Sequence, residues 1–145
     1  MQEQPNGPAR FPDPEDLGHR DWGREMLLMV SPTNYSMKLI VMNQGAEGGL
    51  QYHHLKDEMG MMMQGSMEIT YDPGNGGLCS RVVRRGDVFH FPAGAVHKAL
   101  ALTKCSYIEC STPHFNDRVH VEKEYGLPGE AGGLPSTKLE DVETR

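Results

Sequence analysis

The chain has 145 residues, enough for one domain with a single buried core. Its formal charge of −6, with 20 Asp and Glu against 14 Lys and Arg, gives no electrostatic reason to expect nucleic acid or an anionic membrane as a partner. No apolar run approaches the ~18 residues of a membrane span, and the first residues are polar and proline-rich, unlike a signal peptide.

In chain order, residues 1–18 are rich in Pro, Gly and charge without apolar periodicity, and read as a flexible arm. Glu25 to Val30 and Tyr35 to Asn43 read as strands around the turn residues Ser31, Pro32, Thr33 and Asn34. Gly45 to Gly49 is a further turn. Gln51 and His53, two apart on the next strand, point to one side of it, while His54 points to the other. Glu58 follows after a turn and opens a strand to Gln64. If Glu58 faces inward, alternation sends Gly60, Met62 and Gln64 inward too, and Met59, Met61 and Met63 outward. Ser66 to Tyr71 is a strand that ends at Asp72-Pro73-Gly74-Asn75-Gly76-Gly77, the strongest turn signal in the chain.

Leu78 to Arg84, Val88 to Phe91, Val96 to Leu102 and Ser106 to Cys110 complete a series of short strands, which favours a sandwich or barrel over a βαβ fold. In the stretch Gly86 to His97, Phe89 and Phe91 share one strand face and Val88 and His90 the other. Pro92 ends the pairing, Gly94 supplies a tight reversal, and His97 is delivered at the start of the next strand. Asn116 to Tyr125 reads as the one helix, with Asn116 as N-cap and Gly126 as its stop. Residues 128–145 read as a disordered tail, which leaves 19–127 as the folded domain. Cys79, Cys105 and Cys110 form an odd set without C-x-x-C spacing, which suits a reducing cytoplasm.

An isolated histidine is ordinarily just a hydrogen-bonded side chain. Here two imidazoles, a carboxylate and an amide carbonyl, from His53, His97, Glu58 and Gln51, form a reasonable set of ligands for a divalent metal. The amide oxygen shifts preference toward harder ions, so Zn²⁺ or Mn²⁺ ranks above Cu²⁺, with Fe²⁺ and Ni²⁺ left open. Gly60 leaves space beside the ion, and Met62, Phe89 and Phe91 are the candidate pocket lining. Arg81, Arg84, Arg85 and Lys98 are candidate contacts for an anion, although their ordinary place is a solvated face. His19, His114 and His120 read as surface residues.

The spacing of these residues resembles the two motifs of the cupin superfamily. Gly86, Pro92, Gly94 and His97 match the second motif, with Ala101 in place of its usual Asn; His53, Glu58 and Gly65 match the first, with Gln51 in place of its first histidine. The segment LQYHHLKDE, together with Asp21-Trp22-Gly23, Tyr35 to Val41 and the run Ile108 to Gly126, resembles the cupin domain of type II mannose-6-phosphate isomerases. The resemblance implies an all-β double-stranded β-helix, a cupin jelly-roll barrel with one short C-terminal helix, carrying a metal at one mouth. It also implies an enzyme acting on a small-molecule substrate, a sugar or sugar phosphate, with the metal as Lewis acid and a base moving a proton between carbons. Glu58, Glu109, Tyr52 and His90 are the candidate catalytic residues. The chain departs from the isomerase pattern in its Met-rich strand and in Lys98 after the last ligand. Two other readings use the same cage, an iron dioxygenase and a non-catalytic small-molecule-binding module. Exposed strand edges and the outward Met face point to a homodimer.

Overall fold

The computed structural model describes residues 7–128 and 143–144. Two antiparallel sheets make up the fold. The larger runs β1 (Glu15–Arg20), β2 (Gly23–Ser31), β3 (Tyr35–Met42), β10 (Cys105–Ser111), β5 (Glu58–Gln64), β8 (Val88–Phe91) across its width. The smaller runs β12 (Arg118–His120), β4 (Gln51–His53), β9 (His97–Ala101), β6 (Ser66–Tyr71), β7 (Cys79–Arg84). A short pair joins β11 (His114–Asn116) to β13 (Glu143–Thr144). This is the expected double-stranded β-helix. Its strand order makes the site possible, because chain-distant strands become neighbours in each sheet. The core is drawn from both sheets: Ile40, Met42 and Met62 from the larger, Met67, Ile69, Val83 and Ala101 from the smaller. Among the described residues no helix is long and apolar enough to cross a membrane.

Strand β5 alternates as read from its sequence. Glu58, Gly60 and Met62 are buried while Met59, Met61 and Met63 are exposed. The alternation stops at Gln64, which is exposed, because the pairing with β10 slips between Ser106 and Tyr107.

Two expectations about the ends of the domain are corrected. Glu15 to Gly18, read as part of the arm, belong to β1, a polar edge strand paired with β2 and bulged between Asp16 and His19. Gly18 takes a φ of 104° in that bulge and donates its N–H to the Asp16 carboxylate at 2.8 Å. The helix expected over Asn116 to Tyr125 is a strand followed by a single 3-10 turn, Lys123–Tyr125. Val119 and Val121 stand two apart, and this period of two, rather than the capping residues, decides the segment. Gly126 does end the turn, in the left-handed conformation. The tail expected over 128–145 lies, apart from Pro128 and β13, outside the described residues.

Candidate metal centre

Three strands aim side chains at one point between the sheets. β4 brings Gln51 and His53, β9 opens with His97 directly opposite Gln51, and β5 opens with Glu58 across the gap. The Pro92 to Val96 turn is built as the sequence requires. Gly94 takes a φ of 86° and donates its N–H to the His53 carbonyl at 2.9 Å, so the turn that delivers one histidine is tied to the backbone of the other. Ala95 N–H closes the reversal onto Pro92 O at 3.0 Å.

Hydrogen bonds on the far ring nitrogens fix both imidazoles. His97 Nδ1 lies 2.9 Å from Ala95 O, and a carbonyl can only accept, so Nδ1 carries a proton and Nε2 is the nitrogen left to face the cluster, where it can donate to Glu58 or bind an ion. His53 Nδ1 donates to Asp117 Oδ1 at 2.8 Å. Burial works against the charge of Asp117, but bonds from His53 and from the N–H groups of Leu55 and Lys56 hold its pKa down at about 2. Phe91 stacks on the His97 ring, 3.9 Å between centroids and 8° between planes. Both Nε2 atoms therefore face Glu58 Oε1, at 3.1 Å from His97 and 3.6 Å from His53. One donor atom each from His53, Glu58 and His97 lie within 4.8 Å of one another, and all three side chains are buried. Two imidazole nitrogens held by their far sides and one ionised carboxylate are a donor set that fits a divalent ion.

The second oxygen of Glu58 has a different partner. Lys56 Nζ lies 2.8 Å from Glu58 Oε2 and also bonds Glu109 Oε1. Burial disfavours the charge on Glu58, but the bond from His97 and the ammonium of Lys56 keep it ionised well below the usual carboxylate range. Glu109 goes the other way. Burial, opposed by Lys56 and reinforced by the charge of Glu58, pushes its pKa up to about 7. Lys56, buried between the two, is held protonated by them.

A cavity of about 470 Å³ opens over this cluster. Gln51, His53, Glu58, His97, Glu109, Phe89 and Phe91 all line it. The three candidate bases now separate. Tyr52 points to the opposite face of β4, edge-on to His54 at 5.7 Å, and His90 is exposed and bonded to Asp57 at 2.8 Å. Only Glu109 of the three lines the cavity. Gly60 does not leave room beside the ion, because a Cβ there would fall 2.3 Å from the Phe89 ring, which fills that space. Met62 is fully buried in the core cluster instead of lining the cavity.

Of the basic residues, Lys98 reaches the cavity, where Glu47 holds it at 2.6 Å. Arg81, Arg84 and Arg85 are exposed. His120 is not a surface residue: its side chain is 6% exposed and lines the cavity. Sequence reasoning missed Lys56, Tyr107, Asp117 and Arg118. Alternation from Val119 would have paired Arg118 with His120 on one face. Nothing local in the sequence marks Asp117 as the partner of a residue 64 positions away.

The family model described as Cupin matches residues 20–122. No curated protein matches the chain in sequence. Among solved structures, KdgF from Halomonas sp. is 22% identical, with a TM-score of 0.58 over 69% of this chain and 86% of that one. The capsular polysaccharide assembling protein CapF from Staphylococcus aureus is 19% identical, with a TM-score of 0.66, but this chain covers only 32% of its length and is itself covered over 77%. A variant of oxalate decarboxylase from Bacillus subtilis is 24% identical, TM-score 0.57, over 68% of this chain and 27% of that one. These likenesses establish a shared fold.

Proposed function

The chain belongs to the cupin family, and from that premise we propose that it is a metal-dependent enzyme that moves a proton on a small polar substrate, in the manner of a sugar or sugar-phosphate isomerase. His53, Glu58 and His97 would hold the ion, with Gln51 beside them. The bound ion would act as a Lewis acid, polarising a carbonyl or hydroxyl oxygen of the substrate. A nitrogen-and-oxygen donor set favours Zn²⁺ or Mn²⁺, with Fe²⁺ and Ni²⁺ next.

The observation that carries the reading is the Lys56–Glu109 pair, set against Glu58 within the same cavity. A carboxyl with a pKa near 7 exchanges protons close to neutrality, as a general base or acid must. Lys56 fixes the orientation of Glu109, and its charge favours the carboxylate form. Phe89, Phe91 and Tyr107 give that side of the cavity an aromatic wall. The similarity to type II mannose-6-phosphate isomerases supports the substrate class. So do the names of two structural neighbours, one for a capsular polysaccharide and one for oxalate, both oxygen-rich compounds. The homodimer belongs to the same proposal. Met59, Met61, Met63 and Val88 are exposed on β5 and β8, and β8 is a sheet edge that a second copy would cover. The free thiols suit a reducing cytoplasm.

Proton NMR in D₂O tests the activity directly. Metal-loaded protein is incubated with aldoses and ketoses, their phosphates (mannose 6-phosphate included) and the corresponding sugar acids, and loss of the C–H signal beside the carbonyl is followed. Exchange by wild type that Glu109→Gln abolishes supports the reading. Absence of exchange across the panel contradicts it, and bound iron with oxygen consumption would establish the dioxygenase reading in its place.

A further inference from the structure

Five cationic side chains line the cavity: Arg20, Lys38, Lys56, Lys98 and Arg118. Three of them are matched within the protein. Lys38 is bonded by Glu25 at 2.8 Å, Lys98 by Glu47 at 2.6 Å, and Lys56 by Glu58 at 2.8 Å. Arg20, on the edge strand β1, is exposed to water. Arg118 differs from all of these. It is half-buried and among the described residues its guanidinium has no hydrogen-bond or ion-pair partner. It meets the carboxylates of Asp117, Glu25, Glu58 and Glu109 only as charges at a distance. A half-buried guanidinium that lines a cavity and has no protein acceptor keeps its N–H donors available to a molecule bound there. Those donors lie where a ligand would be, since Arg118 lines the same cavity as His53, Glu58 and His97.

We propose that Arg118 receives a carboxylate of the substrate, which makes this cavity a site for hydroxy- or oxo-acids. Its register sets the geometry. Arg118 stands directly opposite His53 on the neighbouring strand, so the two Cα atoms are ~5 Å apart. A molecule whose carboxylate meets Arg118 can then bring an oxygen only a few bonds away toward the histidine–glutamate cluster. The planar fork of arginine matches a carboxylate with two parallel hydrogen bonds. A phosphate, with more oxygens to satisfy, would call for further interior donors, yet the other interior cations are already held by glutamates. The cavity, at about 470 Å³, falls within the ~300–1,000 Å³ of small-molecule sites and admits a chain of about six carbons. Charge agrees with this: the chain as a whole carries −6, whereas the cavity sets five cations against the four carboxylates of Glu25, Glu47, Glu58 and Glu109.

The inference rests on the cavity reading proposed above, and its test keeps the two apart. Three six-carbon probes of similar size are titrated by calorimetry into the full chain as purified and dialysed: gluconate, neutral glucitol, and glucitol 6-phosphate. Wild type should prefer gluconate to glucitol by about tenfold or more, the scale of a charge-assisted hydrogen-bonded pair. Arg118→Gln should erase that preference, and Arg118→Lys, which keeps the charge without the fork, should fall between. Both variants should keep wild-type metal content and melting temperature, since the guanidinium makes no hydrogen bond or ion pair among the described residues and the backbone pairing with His53 is unchanged by the substitution. The preference should also survive treatment with chelator, so a protein that proves to hold no metal leaves this inference standing while the metal reading fails. No preference for gluconate, including no binding of any probe at millimolar concentration, overturns the inference. So does tighter binding of glucitol 6-phosphate than of gluconate, or a preference that persists in Arg118→Gln.

Discussion

Asp117 is fully buried, is not among the candidate donors to the ion, and yet sets the direction of one by its bond to His53. Its carboxylate holds His53 in the tautomer that presents Nε2, and also binds the backbone of Leu55 and Lys56, the turn between His53 and Glu58. Asp117→Asn should weaken metal binding by about 10–100-fold, the usual cost of losing such a support, while Asp117→Glu should recover part of it. Metal titration with a competing chelator measures both. The same residue gives a pH signature. A carboxyl whose folded pKa is lowered stabilises the fold above its unfolded value and loses that contribution as pH falls through the folded one. For Asp117 this means a loss from about 3.8 down through about 2. Metal-free wild type should thus lose on the order of 1 kcal/mol more across that window than Asp117→Asn, read from urea midpoints at each pH. Glu109 has the opposite shift. Its base form grows as pH rises through about 7, so proton exchange on a substrate should climb with pH to a plateau above neutrality. Glu109→Gln should lose that limb, whereas a flat profile in wild type would remove Glu109 from the proposed chemistry.

Strands were legible where side chains alternate against a buried face and less legible at the sheet edges. β5, β6 and β8 fall where the sequence places them, because Met, Val, Ile and Phe at a period of two leave one reading. β1 carries Glu, Asp, His and Arg on both faces, so no periodicity distinguished it from a loop, and only its pairing with β2 shows what it is. β12 lay under residues that also make good helix ends, Asn116 and Gly126. Gly60 was legible as special but not in its purpose. Its missing Cβ makes room for the Phe89 ring, which packs in turn on Phe91 and Tyr107. Gly60→Ala should therefore destabilise the protein by about 1–3 kcal/mol, the range for overpacking, with metal content unchanged. Combining it with Phe89→Leu should restore part of the loss. An unchanged melting temperature for Gly60→Ala would show that the ring moves aside freely. Deleting residues through Pro14 should leave stability unaltered, whereas deletion through Arg20 removes β1, uncovers the edge of β2 and should lower it.

At the scale of the molecule, the cluster joins what the chain separates. Glu58 and Glu109 come from the larger sheet, His53 and His97 from the smaller, and Asp117 from the segment that leads into β12. His53, Glu58 and His97 were legible because two short motifs each fix their spacing locally. Lys56, Asp117 and Arg118 were not, because their roles depend on how strands far apart in sequence are brought together. An ion bound between the sheets would stabilise the folded state by RT ln(1 + [M]/Kd), about 2.7 kcal/mol at a hundredfold excess over Kd. The most direct test of the metal centre is therefore elemental analysis of the untagged protein, paired with thermal unfolding before and after chelation, for wild type and for His53→Ala, His97→Ala and Gln51→Ala. Wild type should hold one divalent ion per chain and melt at a lower temperature after chelation. Neither histidine variant should hold an ion, and Gln51→Ala, whose amide water can replace, should be partly occupied. Full occupancy in His53→Ala and His97→Ala would contradict a metal centre at this cluster.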